Sequence, residues 1–552
     1  MKVLKHPIYT RSIMVFILLL SATTYCLYGQ DIVYPYFYRI YFRDKGDNIT
    51  AGYSARDLLS ARAVERRQKA GIQEPDFRDL PVNKNYLDKI STLGLKLHTT
   101  SKWMNTALFK SQSAIDLNTI FSLKFVSNVK TVKTPGKKSG YNNKLDFQIL
   151  QDGTFPYDRP LTMINGNQMH ISGYDGKNIL IAVLDGGFLN TDLISSLIGL
   201  RARNGIRLTY DFVKNKRSVY DSSTHGTAVM SVMAGMIPGQ IEGMAPGADY
   251  LLLKTEDIES EFPCEEDFWA AGAEYADSAG VDIISSSLGY FNFDDPTLNY
   301  KYSDLDGNTS FVTIVADIAA SKGILVVNSA GNERNSVWKR IIFPSDGDSV
   351  VAAGAVDGNG LIADFSSVGL SFDGRIKPDN AAMGVNVVVQ TSGNLVGQAN
   401  GTSFSCPVLS GISACLMQAV PNALNTDIIN ALHSCSDRYS NPDSLYGYGI
   451  PDIVTALNTL QNKYLNTPDE TALIYPNPTT GSFDIIFPSP PENVTIELIS
   501  ISGEQLFKKS VHGYAGRTMT ITELQHYSQG VYILRISGVY GIVTRKVIKL
   551  NN

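Results

Sequence analysis

Cysteine is scarce in this chain, five among 552 residues, too few for a disulfide-stapled scaffold. Charge is scarce as well. Asp, Glu, Lys and Arg make up 18% of the residues, and the formal net charge of −5 leaves no basic surplus for a nucleic-acid backbone. Beyond the first 30 residues no apolar run is long enough to span a bilayer. No segment repeats, which excludes a solenoid or propeller. What remains is a length too great for one ordinary domain and a hydrophobic content of 43%, enough for several units with real cores.

The N-terminus reads as a targeting signal. Lys2, Lys5 and Arg11 precede an apolar stretch from Ile13 to Leu20, and small residues follow up to Gly29. This pattern predicts a cleaved secretory signal over residues 1–29 rather than an anchor, because the apolar core is short for a span. Thr23-Thr24-Tyr25 before Cys26 fit a lipidation site poorly. Once the signal is removed, Cys264, Cys406, Cys415 and Cys435 remain, as disulfide partners or as buried thiols.

Three textures follow. Residues 30–145 form a basic, mixed unit. Its strand-like stretches run from Tyr34 to Phe42 and from Phe125 to Val132. A charged helix is expected from Ser60 to Lys69, a short helix after Asn83, and a flexible basic linker from Lys133 to Gly140. Residues 146–465 alternate apolar strands with helices. The strand candidates are Ile179–Leu184, Tyr250–Leu253, Val281–Ser285, Ile324–Asn328 and Val350–Ala355. The helical ones are Glu265–Ala279, Phe311–Ser321 and Thr402–Ala419. Continuous apolar strands between helices predict a parallel sheet covered on both faces, with functional residues at the carboxyl ends of strands. After a linker at Asn466–Asp469, residues 470–552 carry alternating strands such as Val494–Ile499 and Val531–Ile536, a small all-β sandwich.

The chemistry lies in three short motifs in fixed order. Ile181-Ala182-Val183-Leu184-Asp185-Gly186-Gly187 ends a strand. His225-Gly226-Thr227 opens an apolar helix, and Gly401-Thr402-Ser403-Phe404-Ser405-Cys406-Pro407 opens another. Taken singly, the first is a turn, the second a structural histidine and the third a helix cap. Together they supply a nucleophile, a base and the carboxylate that orients the base. Ser403 at a helix start also sits where the helix dipole favours an oxyanion. Ser329-Ala330-Gly331-Asn332-Glu333 adds an amide donor after another strand.

These motifs, in the order Asp, His, Ser, resemble the subtilase (S8) family of serine peptidases over roughly residues 165–460. The resemblance implies an α/β, subtilisin-like three-layer sandwich with a parallel sheet. Asp185 would orient His225, His225 would act as general base, Ser403 as nucleophile and Asn332 as oxyanion donor. Ser287, Leu288 and Gly289 would line one wall of the first specificity pocket, and Glu333 would lie at its mouth. Many relatives have a second glycine where this chain has Tyr290. No cofactor is required for catalysis and no metal ligand set is evident, though structural calcium is compatible with the fold. The acidic run Glu256, Asp257, Glu259, Glu261, Glu265, Glu266 and Asp267 reads first as a solvated loop. Its rival readings are recognition of basic substrate residues and calcium binding.

Residues 30–145 occupy the place of the family's inhibitory propeptide. Through Ser60-Ala61-Arg62-Ala63-Val64-Glu65-Arg66-Arg67 they resemble the α+β propeptide region of Bacteroidetes-type relatives. Residues 470–552 resemble the C-terminal sorting domain of the type IX secretion system, through Tyr475-Pro476-Asn477-Pro478, Gly530-Val531-Tyr532 and Lys546-Val547-Ile548-Lys549-Leu550. Together these imply a secreted or surface serine endopeptidase, made as a zymogen and monomeric. Its partners would be protein or peptide substrates and the type IX secretion machinery, with no nucleic acid and no stable membrane insertion. The alternative is a catalytically silent subtilase-fold adhesin or binding module.

Overall fold

The computed structural model describes residues 35–49, 52–135, 145, 147–149, 156–465, 472–487, 490–491, 493–514, 516–538 and 541–550. The signal at residues 1–29 and the linker residues 136–140 and 466–469 lie outside the described residues.

The N-terminal unit is a four-stranded antiparallel sheet with helices. Its elements are β1 (Tyr36–Phe42), α1 (Ala61–Lys69), α2 (Lys84–Ser91), β2 (Lys96–Ser101), β3 (Thr106–Ser111) and β4 (Val126–Lys133), in sheet order β2-β3-β1-β4. Ser60 caps α1 through Ala63 N, and Asn83 caps α2 through Asn85 N and Tyr86 N. Strand alternation assigns the two faces of β1. Tyr38, Ile40 and Phe42 enter the unit's own core. Phe37, Arg39 and Tyr41 face the next domain, where the Phe37 and Tyr41 rings meet Phe268 and Phe311 edge to face.

The central domain is built on a seven-stranded sheet between two helical layers. It runs β5 (Leu180–Asp185), β6 (Ile206–Asp211), α3 (His225–Ala234), β7 (Asp249–Lys254), α4 (Cys264–Ala279), β8 (Ile283–Ser286), α5 (Phe311–Ser321), β9 (Leu325–Ser329), β10 (Val350–Val356), β11 (Asn380–Met383) and α6 (Thr402–Ala419). The sheet order is β11-β10-β9-β8-β5-β7-β6, and every pairing in it is parallel. Alternate residues of β5 feed two separate cores. Ile181 and Val183 pack with α3 and α6, whereas Leu180, Ala182 and Leu184 pack with α4 and α5. The expected three-layer sandwich follows, with β5 at the point where the chain, having built β6 and β7 on one side, crosses to β8 on the other. Such a switch point opens a crevice at the carboxyl ends of the strands.

Strands β2, β3, β6 and β11 escaped the sequence pattern. Strand β6 is an edge strand with a mostly half-buried pattern, and β11 is a four-residue edge strand, Asn380-Ala381-Ala382-Met383. Neither shows a strong apolar period. The C-terminal unit pairs a three-stranded sheet with a four-stranded one around a core that includes Phe483, Ile496 and Leu534. This is the expected small β sandwich. Cys264, Cys406 and Cys415 are buried free thiols, and Cys435 is a half-buried one.

Candidate functional site

Asp185 is the last residue of β5 and is wholly buried. Its carboxylate accepts from Gly186 N at 2.7 Å and lies 2.9 and 3.1 Å from His225 Nδ1. A buried carboxylate on Nδ1 fixes that nitrogen as the protonated one and leaves Nε2 as the acceptor. His225 opens α3, all ten residues of which are buried. Gly226 is required there, because a Cβ would strike the Gly187 carbonyl and stand 2.8 Å from the Phe188 ring.

Ser403 is the second residue of α6, an 18-residue helix capped by Gly401 at φ 149°. Its neighbour Phe404 has its ring 6.0 Å from that of His225, so the start of α6 stands beside α3. Pro407 lies four residues on and has no N–H to give the Ser403 carbonyl. The Ser287 hydroxyl donates to that carbonyl instead, at 2.9 Å. This bond ties the serine turn to the segment after β8. Among the described residues no hydrogen bond links the Ser403 hydroxyl to His225, an arrangement that commonly tightens only with substrate present.

Asn332 follows β9 and is exposed. Its Oδ1 accepts from Thr402 N at 2.9 Å and Thr402 Oγ1 at 3.0 Å. The amide is thereby oriented with Nδ2 as its remaining donor, 3.6 Å from where a Cβ on Gly401 would stand. Ser287 and Leu288 are buried, and the Leu288 carbonyl accepts from Asn328 Nδ2 at 2.9 Å. Gly289 and Glu333 are half-buried, and Glu333 N donates to Ser367 Oγ at 2.9 Å. Tyr290 is fully buried and donates its hydroxyl to Glu256 at 2.9 Å, so it turns away from Gly289 into the core.

The acidic run is not a solvated loop. Glu256, Glu265, Glu266 and Asp267 are buried, Asp257 and Glu261 are half-buried, and Glu259 alone of the seven is exposed. The physical reason is that each buried charge has partners. Arg39 donates through Nε to both Asp267 oxygens, at 2.9 and 2.8 Å, and through Nη2 to Glu266 at 3.1 Å, while lying 3.6 Å over the Phe311 ring. Lys133 reaches Asp257 at 3.1 Å. Burial still pushes the Asp267 carboxyl up to about 6, against the pull of Arg39. Glu256, Glu261 and Glu265 bring carboxylate oxygens within 4.8 Å of one another, which could hold a metal ion. Three hard oxygen donors suit calcium chemically. Part of the set is already committed, since Glu265 accepts from Asp257 N and Phe262 N.

Residues beside the cleft that no motif marked come from the N-terminal side. The Phe147 ring lies 5.8 Å from His225 and 5.3 Å from Phe404, and Leu145 and Ile258 both lie against Gly186. A second anchor sits away from the cleft. Arg67 pairs with Asp79 at 2.5 Å and with Asp277 at 2.6 Å, all fully buried, and Arg66 pairs with the same Asp277. The Arg66-Arg67 pair in the sequence was the one signal of it.

Three family descriptions match the chain. The subtilase family matches residues 176–449, the Bacteroidota peptidase S8 propeptide domain residues 37–145, and a secretion system C-terminal sorting domain residues 473–550. Subtilisin NAT from Bacillus subtilis subsp. natto is 29% identical over 372 residues, covering 67% of this chain and 85% of the relative. A subtilisin from Bacillus pumilus is 30% identical over 299 residues, covering 54% and 97%. A thermostable alkaline protease from Halalkalibacterium halodurans is 28% identical over 322 residues, covering 58% and 78%. The sorting domain addresses the protein to the type IX secretion machinery and the cell surface. Among the described residues no helix is long and apolar enough to cross a membrane. The chain belongs to the subtilase family, as a hydrolase of subtilisin type with a Bacteroidota propeptide domain before it and a type IX sorting domain after it.

Proposed function

We propose that the chain is a serine endopeptidase that cleaves peptide bonds through an acyl-enzyme, with Asp185, His225, Ser403 and Asn332 as its working groups. The observation that carries this reading is the buried Asp185 carboxylate on His225 Nδ1 at 2.9 Å, beside a helix that begins at Thr402. With Nδ1 holding its proton for Asp185, Nε2 is the basic nitrogen. It takes the Ser403 hydroxyl proton as Oγ attacks the substrate carbonyl. Negative charge then develops on the carbonyl oxygen, which Ser403 N at the positive end of α6 and Asn332 Nδ2 would receive. His225 passes its proton to the leaving amine, the C–N bond breaks, and water repeats the sequence on the ester.

The N-terminal unit is proposed to hold the enzyme as a zymogen, with chain cleavage between Lys133 and Phe147. The reading rests on Phe147 packed edge to face on the His225 ring and on Lys133 paired with Asp257. The domain limits 30–145, 146–465 and 470–552 are proposed on the same footing.

A fluorophosphonate probe tests the reading. The mature protein should gain one adduct on Ser403, located by peptide mass, and Ser403→Ala should gain none. An unlabelled wild-type protein that binds but does not cleave peptides would make it a binding module instead.

A further inference from the structure

We infer that this enzyme cleaves after small residues, because Ile342 fills the slot that would receive the side chain on the acyl side of the bond. The inference rests on the serine-peptidase reading. If the carbonyl oxygen is to reach Ser403 N and Asn332 Nδ2, the Cα beside that carbonyl falls between the two backbone segments nearest them. One is Ser287–Gly289, held to the serine turn by the Ser287 bond to the Ser403 carbonyl at 2.9 Å. The other is Ala330–Asn332, held by Gly331 N donating to Thr402 Oγ1 at 3.1 Å and by the Asn332–Thr402 bonds. These segments extend the adjacent parallel strands β8 and β9, paired as far as Ser286 with Asn328. Both walls present glycine to the space between, Gly289 on one side and Gly331 on the other.

That space is occupied. A Cβ on Gly331 would stand 3.0 Å from Ile342 Cγ2 and 3.1 Å from its Cδ1. A Cβ on Gly289 would collide with the same Cδ1 and stand 3.1 Å from the Ile342 Cβ. The isoleucine therefore projects between the two glycines and touches both. Its backbone cannot withdraw. Ile342 N donates to Ala330 O at 3.1 Å, and the next residue exchanges two bonds with the opposite wall, Tyr290 N to Phe343 O at 3.0 Å and Phe343 N to Tyr290 O at 3.2 Å. A β-branched side chain has few rotamers with which to swing aside. Ile342 is 8% exposed, so its side chain is packed between the two walls. Tyr290, the visible departure in the sequence, does not narrow it, because its ring is turned to Glu256. Ala, Gly and Ser would fit above Ile342, whereas Leu, Phe and Tyr would have to displace it.

The test uses protein secreted as the full chain and matured, with a peptide-amide series differing only in the residue before the scissile bond. The quantity read is the ratio of kcat/KM for Phe to that for Ala within one preparation, which does not depend on the fraction of active enzyme. In the wild type Ala should exceed Phe. Ile342→Ala should raise the Phe-to-Ala ratio by about a hundredfold, since each methylene of room in such a pocket is worth roughly tenfold or more. Ile342→Val should fall between. A wild type that prefers Phe or Leu would overturn the inference, as would an unchanged ratio in both variants. If no peptide is cleaved and the fluorophosphonate does not label Ser403, the serine-peptidase reading itself fails.

Discussion

Asn332 offers the sharpest perturbation, because its two ends do different work. Oδ1 accepts two bonds from Thr402, at 2.9 and 3.0 Å, and Nδ2 is the donor that the proposed mechanism gives to substrate. Asn332→Ala removes both ends. Asn332→Asp keeps an acceptor for Thr402 and removes the donor, placing a negative oxygen where the oxyanion would form. Loss of one such donor costs about 2.7–4 kcal/mol of transition-state stabilisation, a magnitude established on a subtilisin, or roughly a hundred- to a thousandfold in kcat. The charge it would receive exists mainly in the transition state, so KM should change little. Asn332 is exposed, and its loss should cost the fold about 1 kcal/mol or less. The assay is kcat and KM on one peptide amide for wild type and both variants, with thermal melts alongside. Both variants should lose kcat, Asp at least as much as Ala, and Asp should melt near the wild type. An Asp variant with near-normal kcat would refute the donor role. So would a loss confined to KM.

His98 should make docking of the N-terminal unit acid-sensitive. Its Nε2 donates to Phe212 O at 2.9 Å, its Nδ1 accepts from Lys110 at 3.3 Å, and burial against Phe268 lowers it from its ordinary 6.5 to about 4. A base depressed on docking favours the docked state above its free pKa, so affinity should fall by up to about tenfold per pH unit between 6.5 and 4. Inhibition by the cleaved unit, compared at neutral pH and about pH 5 for wild type and His98→Gln, reads this. Equal pH dependence in the two would contradict it. Asp277→Ala removes the buried carboxylate that Arg66 and Arg67 share, leaving Arg66 without its ion pair and Arg67 with Asp79 alone, and should weaken docking by about 3–5 kcal/mol. Faster release of the cleaved unit on a sizing column is the readout, and an unchanged off-rate would count against the anchor. Deleting residues 470–552 should leave peptide hydrolysis intact, because that unit has its own core, while keeping the protein out of the medium of a type IX-competent host. Normal export of the truncated chain would sink the sorting role.

The central sheet was legible because β5, β7, β8, β9 and β10 each carry a run of adjacent apolar residues, the mark of strands buried on both faces. Edge strands β6 and β11 lack that signature. The residues of the proposed site stood out because Asp185, His225 and Ser403 each sit at the end of an element, in a short stretch with few alternatives. Their surroundings did not. Tyr290 drew notice as a departure, yet the slot is closed by Ile342, which lies about 50 residues away in sequence and meets Gly289 only in the fold. The acidic run looked like a solvated loop because its cations, Arg39 and Lys133, lie more than a hundred residues earlier. Pairing across such a separation leaves no local pattern. The Ser287 bond to Ser403 could have been anticipated, since Pro407 leaves the Ser403 carbonyl without its helical donor.

The central claim is that Ser403 is the nucleophile of a peptidase that also processes its own N-terminus. The most direct measurement is the purified full chain against its Ser403→Ala counterpart, free of other proteases, followed by intact mass and by peptide turnover. The wild type should lose its N-terminal unit and then hydrolyse peptides. Ser403→Ala should keep the unit and lose turnover by about a millionfold, the scale of nucleophile loss in a subtilisin. Normal peptide hydrolysis by Ser403→Ala would contradict the account.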